Sequence, residues 1–356
     1  TFVVVKDGKI LFAQGYGYAD LKTKKPVIAD RTLFRPGSIS KLFTWTAVMQ
    51  LVEQHKLDLD ADVNTYLDFK IPEAFGKPIT LRDIMTHTAG FEETVSELFL
   101  QKPEQQFPIG EYLQKHMPKR IFPPGKVVAY SNYATTLAGY IVQRVSGEEF
   151  TDYIANHIFK PLGMKNSTFK QLPPPALLKN MATGYKQASD PKPTPYEIVE
   201  AAPAGALAST ATDMARFMMA HLNGGEYDGA RILKPETVKQ MHTRNYTLAP
   251  GLNGFDLGFY DEDRNGQRII GHGGDTEVFH SDLHLMLDAH VGIFMSFNSA
   301  GAEGAAEAVR VAIFRAFLDR YFPYTPPQEK TVADPDKDNA RVAGYYVASR
   351  RKDSAL

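Results

Sequence analysis

The chain has 356 residues, 43% hydrophobic and 23% charged, a globular composition with enough apolar material for a large core and two structural lobes. A net charge of -1 leaves no broad basic field for nucleic acid, and the absence of cysteine excludes disulfides, thiolate catalysis and cysteine-bound metal. No apolar run approaches the ~20 residues that cross a bilayer as a helix.

Phe2 to Tyr18 reads as a hairpin, with Asp7-Gly8 between two apolar runs. Because the chain begins with Thr1 and enters this strand at once, a trimmed N-terminus is expected, and the missing signal peptide says nothing of the compartment; a periplasmic or otherwise extracytoplasmic location is a separate expectation. A helix follows from Ser38, where Ile39, Leu42, Phe43, Val48, Leu51 and Val52 recur at helical spacing after the breaker Pro36-Gly37. Trp45 reads as helix packing and His87 as the brace of a turn. Thr80 with Asp83 predicts a capping box. Further helices are expected over Asn132 to Val145, stopped at Gly147, and over Thr151 to Phe159 and Thr212 to Leu222. The proline-rich stretch 171–203 reads as loop. Strands return at 268–272, 282–287 and 290–298, and a long helix spans roughly 304–321.

This order predicts an α+β fold, with an antiparallel sheet built from both chain ends and a helical insertion between them. The expected division is 1–60 with 255–325 as the sheet domain, 61–254 as the mostly helical domain, and 326–356 as a linker and the stub of a further domain. Arg341 to Arg350 would open a strand of that stub.

Ser38 and Lys41 stand three apart at the start of the first long helix, on one helical face. A serine hydroxyl becomes a good nucleophile when a neighbouring base takes its proton, and a desolvated lysine can serve. Ser-x-x-Lys also occurs at Ser167/Lys170, Ser189/Lys192 and Ser349/Lys352, but those lie after a turn, in a proline-rich loop and in an Arg/Lys cluster. Two more short motifs follow: Tyr130-Ser131-Asn132 just before a helix, and His272-Gly273-Gly274 at a strand end. Taken singly they read as a helix N-cap and a turn. His280 and His284 fall in an alternating strand pattern that disfavours metal binding, and no Gly-x-Ser-x-Gly elbow or phosphate-binding glycine loop is present.

Ser-x-x-Lys, Tyr-Ser-Asn and His-Gly-Gly in this order resemble the penicillin-recognising serine acyltransferases, in particular the class C β-lactamase branch with its DD-peptidases, D-aminopeptidases and family VIII carboxylesterases. The runs 79–91, 123–125, 159–164 and 205–214 are similar to that branch as well, and the likeness spans about residues 2–320. The resemblance implies a β-lactamase/transpeptidase-like fold and an acyl-enzyme on Ser38. Lys41 would favour deprotonation of Ser38, and Tyr130 would shuttle the proton as phenolate or relay, with a phenol pKa lowered by cationic neighbours. Asn132 would bind the substrate amide and hold Lys41. The N–H groups of Ser38 and Asp275 would form an oxyanion hole, with Gly273 and Gly274 admitting substrate. No cofactor is expected, and the substrate would be a small ester, amide or peptide.

The branch's antibiotic-hydrolysing members carry lysine where this chain has His272, a weaker anion anchor, and Asp275 would further disfavour anions. Esterase or D-Ala-type peptidase activity is therefore expected ahead of β-lactamase activity. The non-enzymatic rival is a penicillin-binding or partner-binding module with weak turnover.

Overall fold

The computed structural model describes residues 1–94, 98–100, 102–187, 189–190, 192–326 and 335–354. Its first hairpin pairs β1 (Phe2–Lys6) with β2 (Lys9–Gln14) across Asp7-Gly8. Both turn residues have positive φ, 49° and 73°, as a two-residue hairpin loop of the right twist demands.

Helix α1 (Ser40–Glu53) buries every residue from Ser40 to Leu51, so it runs through the interior. Its polar members are bonded there: Thr44 Oγ1 donates to Pro203 O at 2.7 Å, and Gln50 Nε2 to the carbonyls of His157 and Ile232 at 3.0 Å each. Helix α2 (Leu81–Met85) carries the Thr80/Asp83 capping box. Helix α3 (Asn132–Ser146) is capped by Ser131 and stops at Gly147, whose φ of 78° is left-handed. Helix α4 (Ala211–Leu222) starts from the Thr210 cap.

The other strands of the main sheet are β3 (Tyr260–Asp261), β4 (Ile269–Asp275), β5 (His280–Met286) and β6 (Val291–Phe297), followed by α5 (Ala305–Tyr321). They complete an antiparallel six-stranded sheet in the order β2-β1-β6-β5-β4-β3, in which the N-terminal hairpin joins the late strands through Phe2 opposite Met295. Both faces are covered. Val3, Val5, Ile270, Leu283, Leu285 and Phe294 join the main core with α1 and α4. Val4, Ile269, Met286, Ile293 and Met295 pack with Leu318 of α5. A strand buried on two sides needs no polar alternation, which accounts for Val3-Val4-Val5. Helix α4 packs on the sheet although it lies within the segment expected to be the helical insertion.

The expected strand over 341–350 is not formed. Residues Pro335–Val342 are helical (α6), and 343–354 carry no regular structure. The sheet ends at β2 and β3, so this segment has no strand neighbour, and Tyr345, Tyr346 and Val347 are exposed. Residues 327–334 of the expected linker lie outside the described residues.

Phe217 of α4 stacks on Phe43 of α1 at 4.0 Å between ring centroids, and both are buried. Phe217→Ala should cost about 3–5 kcal/mol of stability in urea unfolding, because it opens a cavity between the sheet-covering helix and the central one. A loss below about 1 kcal/mol would contradict that packing.

Candidate active site

Ser38 lies in a short 3-10 turn (Gly37–Ile39) that leads directly into α1. Gly37 makes this turn possible. Its φ is 55°, and a Cβ there would stand 2.6 Å from the Asp275 backbone N. Gly274 meets the same contact from the strand side, where a Cβ would lie 1.9 Å from Pro36 O and 2.9 Å from Ser38 N. Gly274 thus admits the Ser38 turn itself, a demand beyond the expected approach of substrate. Gly273 is less crowded, with Asp282 Oδ1 3.1 Å from its hypothetical Cβ. The consequence is that the Ser38 turn and the end of β4 at Gly274-Asp275 are packed backbone to backbone.

Lys41 has no exposed surface. Its Nζ is 2.7 Å from Asn132 Oδ1, 2.8 Å from Ala204 O and 3.1 Å from Ser38 Oγ. Burial drives its pKa well below the ordinary lysine value; Glu93 opposes this and Arg350 adds to it. The N-terminus of α1 disfavours a cation as well. A neutral amine has two N–H bonds and one lone pair. Ala204 O can only accept, and Asn132 Oδ1 accepts because the amide's Nδ2 donates to Glu93 Oε1 at 3.1 Å. In that neutral form both N–H bonds are spent on these acceptors and the lone pair is left for Ser38.

Tyr130 Oη donates to Ser38 Oγ at 2.8 Å, on the other side of the nucleophile. Its ring stacks on His87 at 4.3 Å. The lowered phenol pKa expected from the sequence is not found. Burial pushes it up, and the hydrogen bond to Ser38 and the Arg350 charge only partly offset that. Burial drives the pKa of Lys41, the cation expected there, well down as well, and Tyr130 stands as a phenol donating to Ser38. Ser131 Oγ accepts from Ala134 N at 3.1 Å and caps α3, which leaves Asn132 to turn inward. Asn132 N donates to Glu93 Oε2 at 3.1 Å.

His272 is buried and stacks on Tyr260 at 4.4 Å. Its Nδ1 donates to Gly273 O, and its buried Nε2 has no hydrogen-bond partner among the described residues. Burial lowers its pKa to about 3, so the ring is neutral and carries no charge for an anion. Asp275 also differs from expectation. Its carboxylate is bound by Arg310 of α5 at 2.9 and 3.1 Å and by His280 Nδ1 at 2.7 Å. Burial would raise its pKa, but these partners outweigh burial and hold it low. A carboxylate so matched repels anions far less than a free one.

Ser38, Tyr130, Asn132, His272, Gly273 and Asp275 all line one cleft of about 550 Å³. Four members of the cluster were not legible in the sequence: Glu93, the Ala204 carbonyl, Tyr260 and Arg350, which also lines the cleft. None lies in a recognisable motif. Arg350 was visible only as part of a basic cluster beside the discounted Ser349/Lys352 pair.

The Beta-lactamase family model matches residues 1–316. The chain belongs to the beta-lactamase family. Among curated relatives, PbpX of Bacillus subtilis, named as a proposed penicillin-binding protein, is 31% identical over 70% of this chain and 62% of its own length. Protein flp of Staphylococcus aureus is 26% identical over 84% of the chain and 59% of its own length. The chain thus spans about three-fifths of these relatives. The penicillin-binding protein homologue of Pyrococcus abyssi, described as octameric, superposes with a TM-score of 0.75 at 24% identity, covering 90% of this chain and 74% of the other. The D-amino acid amidase of Ochrobactrum anthropi gives 0.72 at 23%, covering 90% and 93%. At these identities the structures establish the family's β-lactamase/transpeptidase-like fold.

His272 sets a pH dependence that can be measured. Its folded pKa of about 3 lies below the ordinary ~6.5 of an unfolded histidine. Between those values the unfolded chain binds the extra proton, so His272 makes stability fall as pH drops from ~6.5 towards ~3. His272→Asn should show a shallower fall of unfolding free energy across pH 6.5–4, by about one proton's slope. Equal slopes in the two proteins would contradict the neutral buried ring.

Proposed function

We propose that this protein is a serine hydrolase that forms an acyl-enzyme on Ser38 and hydrolyses ester or amide carbonyls. The observation that carries the reading is the placement of Ser38 Oγ between the Lys41 amine at 3.1 Å and the Tyr130 hydroxyl at 2.8 Å, with burial driving the pKa of the amine well below its ordinary value. Lys41 takes the Ser38 proton as Oγ adds to the substrate carbonyl. The adjacent N–H groups of Ser38 and Asp275 bind the developing oxyanion, a contribution of about 3 kcal/mol per donor in acyl transfer. Tyr130 gives its proton to the departing oxygen or nitrogen, and the proton held by Lys41 restores the phenol. Water then adds to the acyl-serine ester, and Ser38 is released with its proton.

Esterase or D-Ala-type peptidase activity is the preferred form. His272 stands where the resembled antibiotic-hydrolysing enzymes have lysine, and its ring is neutral. Among structural neighbours, names such as D-amino acid amidase and β-lactamase/D-alanine carboxypeptidase are consistent with peptide-like amides.

Mass spectrometry after incubation with a fluorophosphonate or a penicillin should find one covalent adduct, on Ser38, and none in Ser38→Ala. Absence of any adduct on the unmodified protein would defeat the acyl-enzyme reading. Side-by-side turnover of p-nitrophenyl butyrate, a cephalosporin and a D-Ala-D-Ala peptide separates its forms. Fast cephalosporin turnover with negligible ester turnover would overturn the preference, and stable adducts without turnover would favour a penicillin-binding module. Lys41→Ala and Tyr130→Phe should each lower kcat by roughly 10²–10⁴-fold, the range of a positioned acid–base group, with circular dichroism unchanged. Near-normal kcat in either variant would remove that residue from the proton path.

A further inference from the structure

Among the described residues that line the cleft, Arg350 is the one cation, since His272 is neutral and Asp275 is matched by Arg310. It comes from a segment outside residues 1–316, so nothing in the family match supplies it. The segment is pinned on both sides of Arg350. Ser349 Oγ donates to Val128 O at 2.5 Å, and Glu93 N donates to Arg351 O at 2.9 Å. Asp353 N and Ser354 N both donate to Glu92 Oε2 at 2.9 Å. Glu92 and Glu93 are consecutive, so one short stretch grips the segment and also orders Asn132.

The Arg350 guanidinium lies over the Tyr130 ring, 4.4 Å from its centroid, and its Nε is 4.0 Å from Glu93 Oε2. Among the described residues neither Nη donates a hydrogen bond, and the side chain is half exposed to the cleft. A planar donor fork, fixed through its stem and flat face with its tip open, fits a carboxylate.

We propose that Arg350 is a specificity-determining residue of the Ser38 site that binds a carboxylate on the substrate's leaving group. The side follows from Tyr130. That residue protonates the leaving group in the mechanism above, on which this inference rests, and Arg350 stacks on it.

The test uses phenyl and 3-carboxyphenyl esters of one acyl group, with the full chain. The wild type should favour the carboxylated ester in kcat/KM by ~10-fold, the worth of one charge-assisted contact. In Arg350→Ala the ratio should fall to about 1, and in Arg350→Lys it should be intermediate. An unchanged ratio in Arg350→Ala overturns the proposal, as does an equal rise of both rates, which would mark the segment as an obstruction. Calorimetric binding of 3-hydroxybenzoate, the leaving-group product, gives a readout independent of chemistry. It should weaken ~10-fold in Arg350→Ala. If neither ester is turned over, the acyl-enzyme reading fails while this binding difference still decides Arg350; equal binding to both proteins rejects the anchor.

Discussion

A lysine amine enclosed without water, at the second position of a helix that is itself interior, has few ways to exist. Carried as a cation it would need several kcal/mol of compensation for lost hydration, and only one carboxyl group, Glu93, stands among its electrostatic neighbours. Neutralisation costs less, and it imposes geometry. The amine needs two acceptors for its N–H bonds and something to donate to its lone pair. Asn132, Ala204 and Ser38 fill those places. Three distant parts of the chain must converge on one nitrogen, so the packing of α1 against α3 and the 202–205 turn is tied to the chemistry of the serine.

The other charges near the cleft follow the same rule of matching or removal. His272 is neutral because burial leaves its imidazolium without compensation, and Asp275 keeps its charge because Arg310 and His280 meet it. Tyr130 keeps its proton for the reason His272 lacks one: burial disfavours the ionised form of each. Ser38 is thus flanked by an amine whose pKa burial lowers and by a phenol that donates to it, an arrangement suited to the proton path proposed above. Arg350 Nε stands 4.0 Å from Glu93 Oε2, whose pKa burial raises.

Much of the fold was legible because its signals are local. Asp7-Gly8, the Thr80/Asp83 box, Ser131 and Gly147 act within a few residues of themselves, and each stands where the pattern puts it. Residues 341–350 failed for the converse reason. Apolar and aromatic character there reads as strand, but a strand needs a neighbour's backbone, and sequence pattern does not reveal which sheet edge is available. Helix α4 likewise has an ordinary amphipathic pattern that gives no hint of which surface it covers.

The sequence by itself determined the family, the three short motifs and the pairing of Ser38 with Lys41 on one helical turn, because these are matters of spacing and residue type. The tertiary structure decided everything that depends on burial and on approach through space. It lowered the pKa of Lys41 by burying it and set Ala204 O beside its amine. It reversed the expected shift of Tyr130, and it turned Asp275 towards Arg310. It also brought Glu93 and Arg350 to a cleft whose other residues lie up to hundreds of positions away. A pKa is set by the dielectric surroundings and the charges within a few ångströms, and neither can be read from the order of residues along a chain.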